Sequence, residues 1–320
     1  HSKLKVSLCS QRSDAGLRSA FDSNSTMQIF QYPTPLWVWV LCVILHIEDA
    51  LRLKSSAAGW RLHIISITGT PNYEMALKME EAWTKFLGPN DTYIDVLDPG
   101  GSKAHHWHAA LEMDDSPFLS GKCIGWNGSR CDGYHRAQMK FVYGLVHEVR
   151  HFKAVGGPMP KWWLIKDDDT FVHADKLMNS IANRGKAIDP LRDLIGFSEL
   201  KTHAGRCDVI TGMQMPPCWL IGGSGLLLSN ALAEKLALEH GDQWILLMAR
   251  YLQDEEYVYW DFDMPEVISW IAGASILHNS AMDWHNGTCR EAATVHMRDM
   301  HNKIGIDAAL ANVTTCLKQV

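Results

Sequence analysis

Lys161-Trp162-Trp163-Leu164-Ile165-Lys166-Asp167-Asp168-Asp169-Thr170-Phe171-Val172 is the stretch that decides the fold. Trp162 to Ile165 is a short apolar run, as expected of a strand buried on both faces. It ends abruptly at three adjacent carboxylates. Apolar character returns at Thr170, Phe171 and Val172, and Ala174 to Ala182 reads as a helix. Open α/β sheets bind their ligands at the carboxyl ends of their strands, which is where this triplet falls. Three neighbouring carboxylates repel one another, and a divalent metal with oxygen ligands balances them most simply. A solvated acidic turn is the plainer alternative. The Trp-rich strand before the triplet and the helix after it weigh against that.

Upstream the same alternation repeats. Arg61 to Thr68 reads as a strand, ended by Gly69, Thr70 and Pro71. Tyr73 to Leu87 has helical spacing, with Met75, Leu77, Met79, Ala82, Trp83 and Phe86 available for an apolar face. Gly88-Pro89-Asn90 closes it, and Tyr93 to Leu97 is the next strand. Strand, helix, strand opens a parallel sheet. Gly100 to Gly133 reads as loop; its His105, His106 and His108 suit a solvated segment better than a metal cluster. Tyr134 to His151 is a long helix leading back to the Asp strand.

Downstream, residues 183–217 read as irregular. Cys218-Trp219-Leu220-Ile221-Gly222-Gly223-Ser224-Gly225-Leu226-Leu227-Leu228-Ser229 follows. Its adjacent glycines let backbone approach a ligand closely, but the spacing is neither a dinucleotide fingerprint nor a phosphate-binding Walker loop. Ser229 or Asn230 is placed to cap a helix from Ala231 to His240. Asp254 to Pro265 is an acidic and aromatic stretch before an apolar helix, Glu266 to Ala272. Its carboxylates suit either the helix dipole or a general base. Near the end lies Thr294-Val295-His296-Met297-Arg298-Asp299.

The 320 residues suffice for one large α/β domain. A net charge of -6 without a basic stripe argues against a nucleic-acid partner. Thirteen Trp is a high number, and Trp rings pack against sugar C–H groups as well as in cores. None of the eight Cys lies in a Cys-x-x-Cys pair, which disfavours thiolate zinc. Six fall into the close pairs 123/131, 207/218 and 289/316, which suit local disulfides, although spacing does not fix connectivity. Sequons at Asn24, Asn90, Asn127, Asn286 and Asn312 join them in favouring the secretory pathway. Leu36 to Ile47 is the most apolar window. Counted back to Met27 it reaches membrane-spanning length, with basic residues before it and Glu48 and Asp49 after it. Residues 1–59 are therefore expected to be a tail with a membrane anchor at about 27–47 and a short stem. Residues 60–320 are expected to form the folded domain. A buried strand or a signal-peptide core is the alternative for the apolar window.

Taken in order, Thr68-Gly69, WWLIKDDDTFV, WLIGGSGLLLS and TVHMRD resemble the Fringe-like glycosyltransferases (glycosyltransferase family 31), and within them the core-1 β1,3-galactosyltransferases. The match runs from about residue 60 to 300. The resemblance implies a GT-A type α/β fold, with a mixed central sheet flanked by helices. It implies an inverting β1,3-transfer of galactose or an N-acetylhexosamine from a UDP-sugar to a glycan or glycoprotein acceptor, with Mn2+. The implied setting is a Golgi or ER membrane, type II, with a lumenal catalytic domain; a homodimer is one assembly left open. By that resemblance Asp167, Asp169 and His296 hold the metal, and Thr68, Asp167, Asp168, Gly222 and Gly223 lie on the donor side. Asp261 is the base, with Asp263 as runner-up. Trp260 and Pro265 depart from the family pattern, which has an acidic residue just before the base and a Gly four positions after it. Two alternatives of another class stand beside this: an inactive relative acting as a chaperone or lectin-like module, and a calcium-binding adhesion module.

Overall fold

In the computed structural model the described residues are 61–69, 72–103, 105–114, 133–184, 187–202, 205–211, 218–251, 260–282 and 292–317. The chain divides into two units, residues 1–55 and 56–320, and every described residue belongs to the second. The expected anchor at 27–47 lies outside the described residues. Among the described residues no helix is long and apolar enough to cross a membrane.

In chain order the first half holds β1 (Leu62–Ile67), α1 (Tyr73–Trp83), β2 (Asp91–Leu97), β3 (Ala110–Glu112), α2 (Gly133–Val155), β4 (Trp162–Asp167), β5 (Thr170–Val172) and α3 (Ala174–Ala182). Four short strands follow: β6 (Ile195–Ser198), β7 (Leu200–Thr202), β8 (Gly205–Arg206) and β9 (Val209–Ile210). Then come β10 (Trp219–Leu220), a 3-10 turn at Gly222–Ser224, β11 (Leu226–Ser229), α4 (Asn230–Glu234), α5 (Gly241–Tyr251) and α6 (Trp260–Ala272). The chain closes with β12 (Ser275–His278), β13 (Thr294–His296), α7 (Arg298–Ile304) and α8 (Ile306–Leu317).

Among the described residues the main sheet has eight strands in the order β3-β2-β1-β4-β11-β6-β12-β9. The β2, β1 and β4 strands are parallel, and β3 joins them in parallel at the edge. The β11 strand is antiparallel to both β4 and β6, and β12 is parallel to β6. The sheet is therefore mixed, and β1, β4, β6 and β12 end at the same edge. Smaller sheets are β10-β7-β8 and β13-β5.

Two-residue periodicity sends successive side chains of a strand to opposite faces. Ile65, Ile67, Trp163 and Ile165 join one core with Met139, Phe141 and Leu145 of α2, Trp244 of α5 and Ile268 of α6. Leu62, Ile64, Trp162 and Leu164 join the other, with Met79 and Trp83 of α1, Leu177 of α3 and Val313 of α8. The architecture is helices, mixed sheet, helices. Trp83, Trp163 and Trp244 are fully buried, so these Trp residues serve the core and do not line a sugar site.

Several boundaries differ from the sequence reading. The loop expected over 100–133 contains β3, and the irregular stretch expected over 183–217 contains four short strands. Strands of two to four residues carry too little alternation to register as periodicity. The helix expected from Ala231 to His240 is α4 followed by a π-helical turn, Lys235–Glu239. Ser229 is its cap: Ser229 Oγ accepts from the Leu232 N–H at 3.3 Å. The α6 helix starts at Trp260 and not at Glu266. Cys207 and Cys218 form a disulfide. Cys316 is a free cysteine, so the expected 289/316 pairing is not made. Cys289, Cys123 and Cys131 lie outside the described residues.

Candidate functional site

The site is built where β1 and β4 end side by side. Ile67 pairs with Asp167 in the last register position of these parallel strands. The chain then turns through Asp168 and Asp169 into β5. That strand pairs antiparallel with β13, and its first register position sets His296 opposite Thr170. The Met297 N–H donates to the Asp169 carbonyl at 2.8 Å, closing the pairing. This small sheet brings together residues far apart in the chain. Donor atoms of Asp167, Asp169 and His296 all lie within 4.8 Å of one another. His296 Nε2 is 3.0 Å from Asp169 Oδ1, and both side chains are about nine-tenths buried.

A glycine allows this geometry. Gly223 sits in the 3-10 turn between β10 and β11, directly beneath the His296 ring. A Cβ on Gly223 would lie 2.4 Å from His296 Cγ and Cδ2 and 2.8 Å from Nδ1. The turn is pinned on both sides. Thr170 Oγ1 donates to the Gly223 carbonyl at 2.8 Å, and Thr294 Oγ1 to the Ser224 carbonyl at 2.8 Å. Ser224 Oγ in turn donates to Glu199 Oε2 at 3.0 Å. Gly222 occupies the same turn. Gly225 follows with φ +82°, a conformation that favours glycine.

Asp168 faces elsewhere. Its Oδ2 accepts from the Gly69 N–H at 3.0 Å and from Asn72 Nδ2 at 3.2 Å. The middle carboxylate thus ties the end of β4 to the turn after β1, and Asp168 is not a member of the metal-type cluster. Burial pushes its pKa up to about 6, helped by the charge of Asp169 and opposed by the Gly69 and Asn72 hydrogen bonds and by Lys166. Thr68, in the turn after β1, is fully buried. Its carbonyl accepts from Lys140 Nζ at 2.6 Å.

Two buried lysines counter the carboxylates from below. Lys166 is fully buried and donates to Ser66 Oγ at 3.1 Å and to the Asp167 carbonyl at 3.0 Å. Its ammonium lies 5.0 Å from the centre of the Trp83 ring. Burial lowers its pKa against the upward pull of Asp95, Asp168, Asp169 and Asp167. Lys140 lies 3.0 Å from Asp98. Burial likewise lowers its pKa, against Asp98. The sequence reading ended the apolar run at Ile165 and gave Lys166 no role. Its flanking by Trp and Asp was the available signal, since a buried lysine needs compensating anions.

The donor set fits a divalent ion. Two carboxylates and one imidazole are oxygen and nitrogen donors of the kind that hold divalent ions, and they differ from both an all-oxygen calcium site and a thiolate zinc site. Two donors on opposite sides of a small divalent ion are roughly 4.2 Å apart, so three donors within 4.8 Å are close to a closed set. Asp261 lies in the first turn of α6. Its side chain and that of Asp263 are outside the described residues, so they are not placed relative to the cluster.

No protein-family model matches the chain, and no curated protein matches it. Solved structures do. One is a glycosyltransferase involved in the glycosylation of the major capsid of PBCV-1, 12% identical, covering 80% of this chain and 99% of that one, with a TM-score of 0.41. Another is the galactosyltransferase LgtC in complex with donor and acceptor sugar analogs, 11% identical, covering 81% of this chain and 97% of that one, with a TM-score of 0.42.

Proposed function

We propose that the chain is a GT-A type glycosyltransferase that moves a sugar, galactose or an N-acetylhexosamine, from a UDP-sugar to a glycan or glycoprotein acceptor, with a divalent ion, Mn2+, as cofactor. The observation that carries this reading is the cluster of Asp167, Asp169 and His296 at the carboxyl edge of the sheet. Breaking a bond between a sugar and a nucleoside diphosphate places new negative charge on the diphosphate. A divalent ion held at this cluster supplies Lewis-acid stabilisation of such a leaving group. The chain's own residues fix the ligands. Gly223 lets His296 stand beside Asp169, the β5–β13 pairing sets the ring's height, and Asp168 locks the β4 end onto the turn that carries Thr68 and Gly69.

The resemblance to the Fringe-like family supplies the finer reading: inversion at the anomeric carbon, a β1,3 linkage, and Asp261 as the base that takes the acceptor hydroxyl proton. The secretory setting, with a type II anchor in a Golgi or ER membrane, rests on the sequons, the close Cys pairs and the apolar window at 27–47. The Cys207–Cys218 disulfide supports it, because disulfides persist in oxidising compartments.

Titration with UDP tests the site directly. The wild-type chain should bind UDP with manganese present and lose most affinity after chelation. Asp169→Ala and His296→Ala should bind as weakly with manganese as without it. UDP affinity indifferent to manganese, chelator and both substitutions would reject the reading.

A further inference from the structure

A cavity lies at the same edge of the sheet, and none of its lining residues belongs to the metal-type cluster. It has a volume of about 490 Å³ and is lined by Ser180, Arg184, Asp208, His278, Asn279 and Ser280. That volume is in the range of small-molecule sites. The β12 strand ends in it, and β12 is parallel to β6, whose partner β11 is antiparallel to both β6 and β4. The cavity therefore opens on the carboxyl side, where Asp167 also lies. Three strand spacings separate β4 from β12, about 14 Å across the sheet.

The wall is pre-shaped. Arg184 donates to the His278 carbonyl and lies over the Phe197 ring, 4.7 Å from its centre. Asn279 Nδ2 donates to Ser180 Oγ at 3.0 Å. His278 Nδ1 accepts from the Leu200 N–H at 3.0 Å, so a proton on that ring sits on Nε2. The lining presents a guanidinium, a carboxylate, an imidazole N–H and the Ser280 hydroxyl, while the Ser180 hydroxyl donates to the Leu177 carbonyl and the Asn279 amide oxygen accepts from the Ala281 N–H. Arg184 and Asp208 oppose in charge. An anion would meet Asp208, a cation would meet Arg184, and an apolar ligand would strand nearly every group present. Neutral polyhydroxy ligands, whose hydroxyls both donate and accept, match this mixture.

We infer that this cavity binds a neutral saccharide unit of the acceptor, at a position beyond the sugar that receives the transferred residue. The acceptor role rests on the transferase reading given above; the saccharide site does not. A unit held some 14 Å across the sheet from the cluster cannot itself be the reacting sugar. The enzyme should therefore prefer oligosaccharide acceptors to monosaccharide ones.

The test uses the whole chain and neutral di- to tetrasaccharides of hexose and N-acetylhexosamine, with binding followed by saturation-transfer NMR without donor. Asp208→Asn and Ser280→Tyr probe the cavity at two exposed residues, where neither change disturbs the core. The wild-type chain should bind a neutral oligosaccharide, and each variant should weaken it about tenfold or more, the loss expected for one charge-assisted hydrogen bond or a blocked mouth. UDP release from a UDP-sugar without acceptor should be unchanged in both. Binding of no neutral oligosaccharide, or equal binding by wild type and variants, overturns the inference. Variant-sensitive binding without UDP release from any UDP-sugar would leave the saccharide site standing and remove the transferase reading.

Discussion

Gly223→Ala isolates the geometry on which the metal-type cluster depends. The added methyl would sit 2.4 Å from two ring atoms of His296, where 3.4 Å is the near limit of ordinary contact. Something must therefore move by about 1 Å. Gly223 does not have a positive φ, so the alanine brings no backbone strain. The turn itself cannot recede freely, because Thr170 and Thr294 hold its carbonyls. His296 must move instead, against its pairing with Thr170. Overpacking of this kind costs roughly 1–3 kcal/mol of stability. Displacing a ligand through its supporting shell costs roughly 10–100-fold in metal affinity. The assay is calorimetric titration of manganese, with a thermal melt on the same samples. Gly196→Ala is the control, since its Cβ would meet nothing nearer than 3.4 Å. Manganese affinity and melting temperature both at wild-type values in Gly223→Ala would refute the claim that this glycine makes room for His296.

Further expectations follow from other parts of the structure. Asp261→Asn should lower transfer roughly 10²–10⁴-fold while UDP and manganese affinity survive; a loss confined to Asp263→Asn would move the role two residues along. Burial, with Glu80 nearby, pushes the Asp95 pKa up to about 8. The folded chain then keeps a proton that the unfolded chain releases near pH 4, so this group's contribution to stability falls as pH rises from about 4 to about 8. Asp95→Asn should flatten that slope in melts across the window. Glu148 behaves oppositely: burial raises its pKa, but His147, hydrogen-bonded to it at 3.1 Å, and His63, 3.3 Å away, outweigh burial and hold it at about 2. Its contribution is present above its unfolded pKa and lost as pH falls towards 2, and Glu148→Gln should remove that acid-side loss. Replacing Cys207 and Cys218 together by Ala opens a loop with a sequence separation of 11. Denaturant unfolding should show a loss of about 3 kcal/mol.

Long, strongly patterned elements were legible in the sequence. The Asp strand, the helix after it and the first strand-helix-strand unit carry enough apolar periodicity to be read locally, and Ala174–Ala182 falls where the pattern places it. What stayed illegible depends on contacts between distant segments. The strands β6 to β9 are too short to show alternation and exist through pairing with distant or neighbouring strands: β6 with β11 and β12, β9 with β12, and β7 with β10 and β8. Spacing alone could not bring His296 to Asp169, since a two-stranded sheet between β5 and β13 does that; only the family resemblance linked them. The adjacent glycines were read as room for a ligand, whereas Gly223 makes room for a histidine ring. The resemblance already left Asp168 out of the metal set, but it did not show the structural bond to the turn at Gly69 and Asn72, which joins segments far apart in the chain. The start of α6 was misplaced because its first turn is acidic and aromatic and Pro265 falls inside it.

The most direct measurement of the central claim is UDP release from a panel of UDP-sugars by the wild-type chain, with manganese and with chelator, beside Asp169→Ala. Release from at least one UDP-sugar with manganese, abolished by chelator and by Asp169→Ala, is the expected result. No release from any UDP-sugar by folded, manganese-loaded protein, or release that survives both chelator and Asp169→Ala, would contradict the assignment of Asp167, Asp169 and His296 to nucleotide-sugar chemistry.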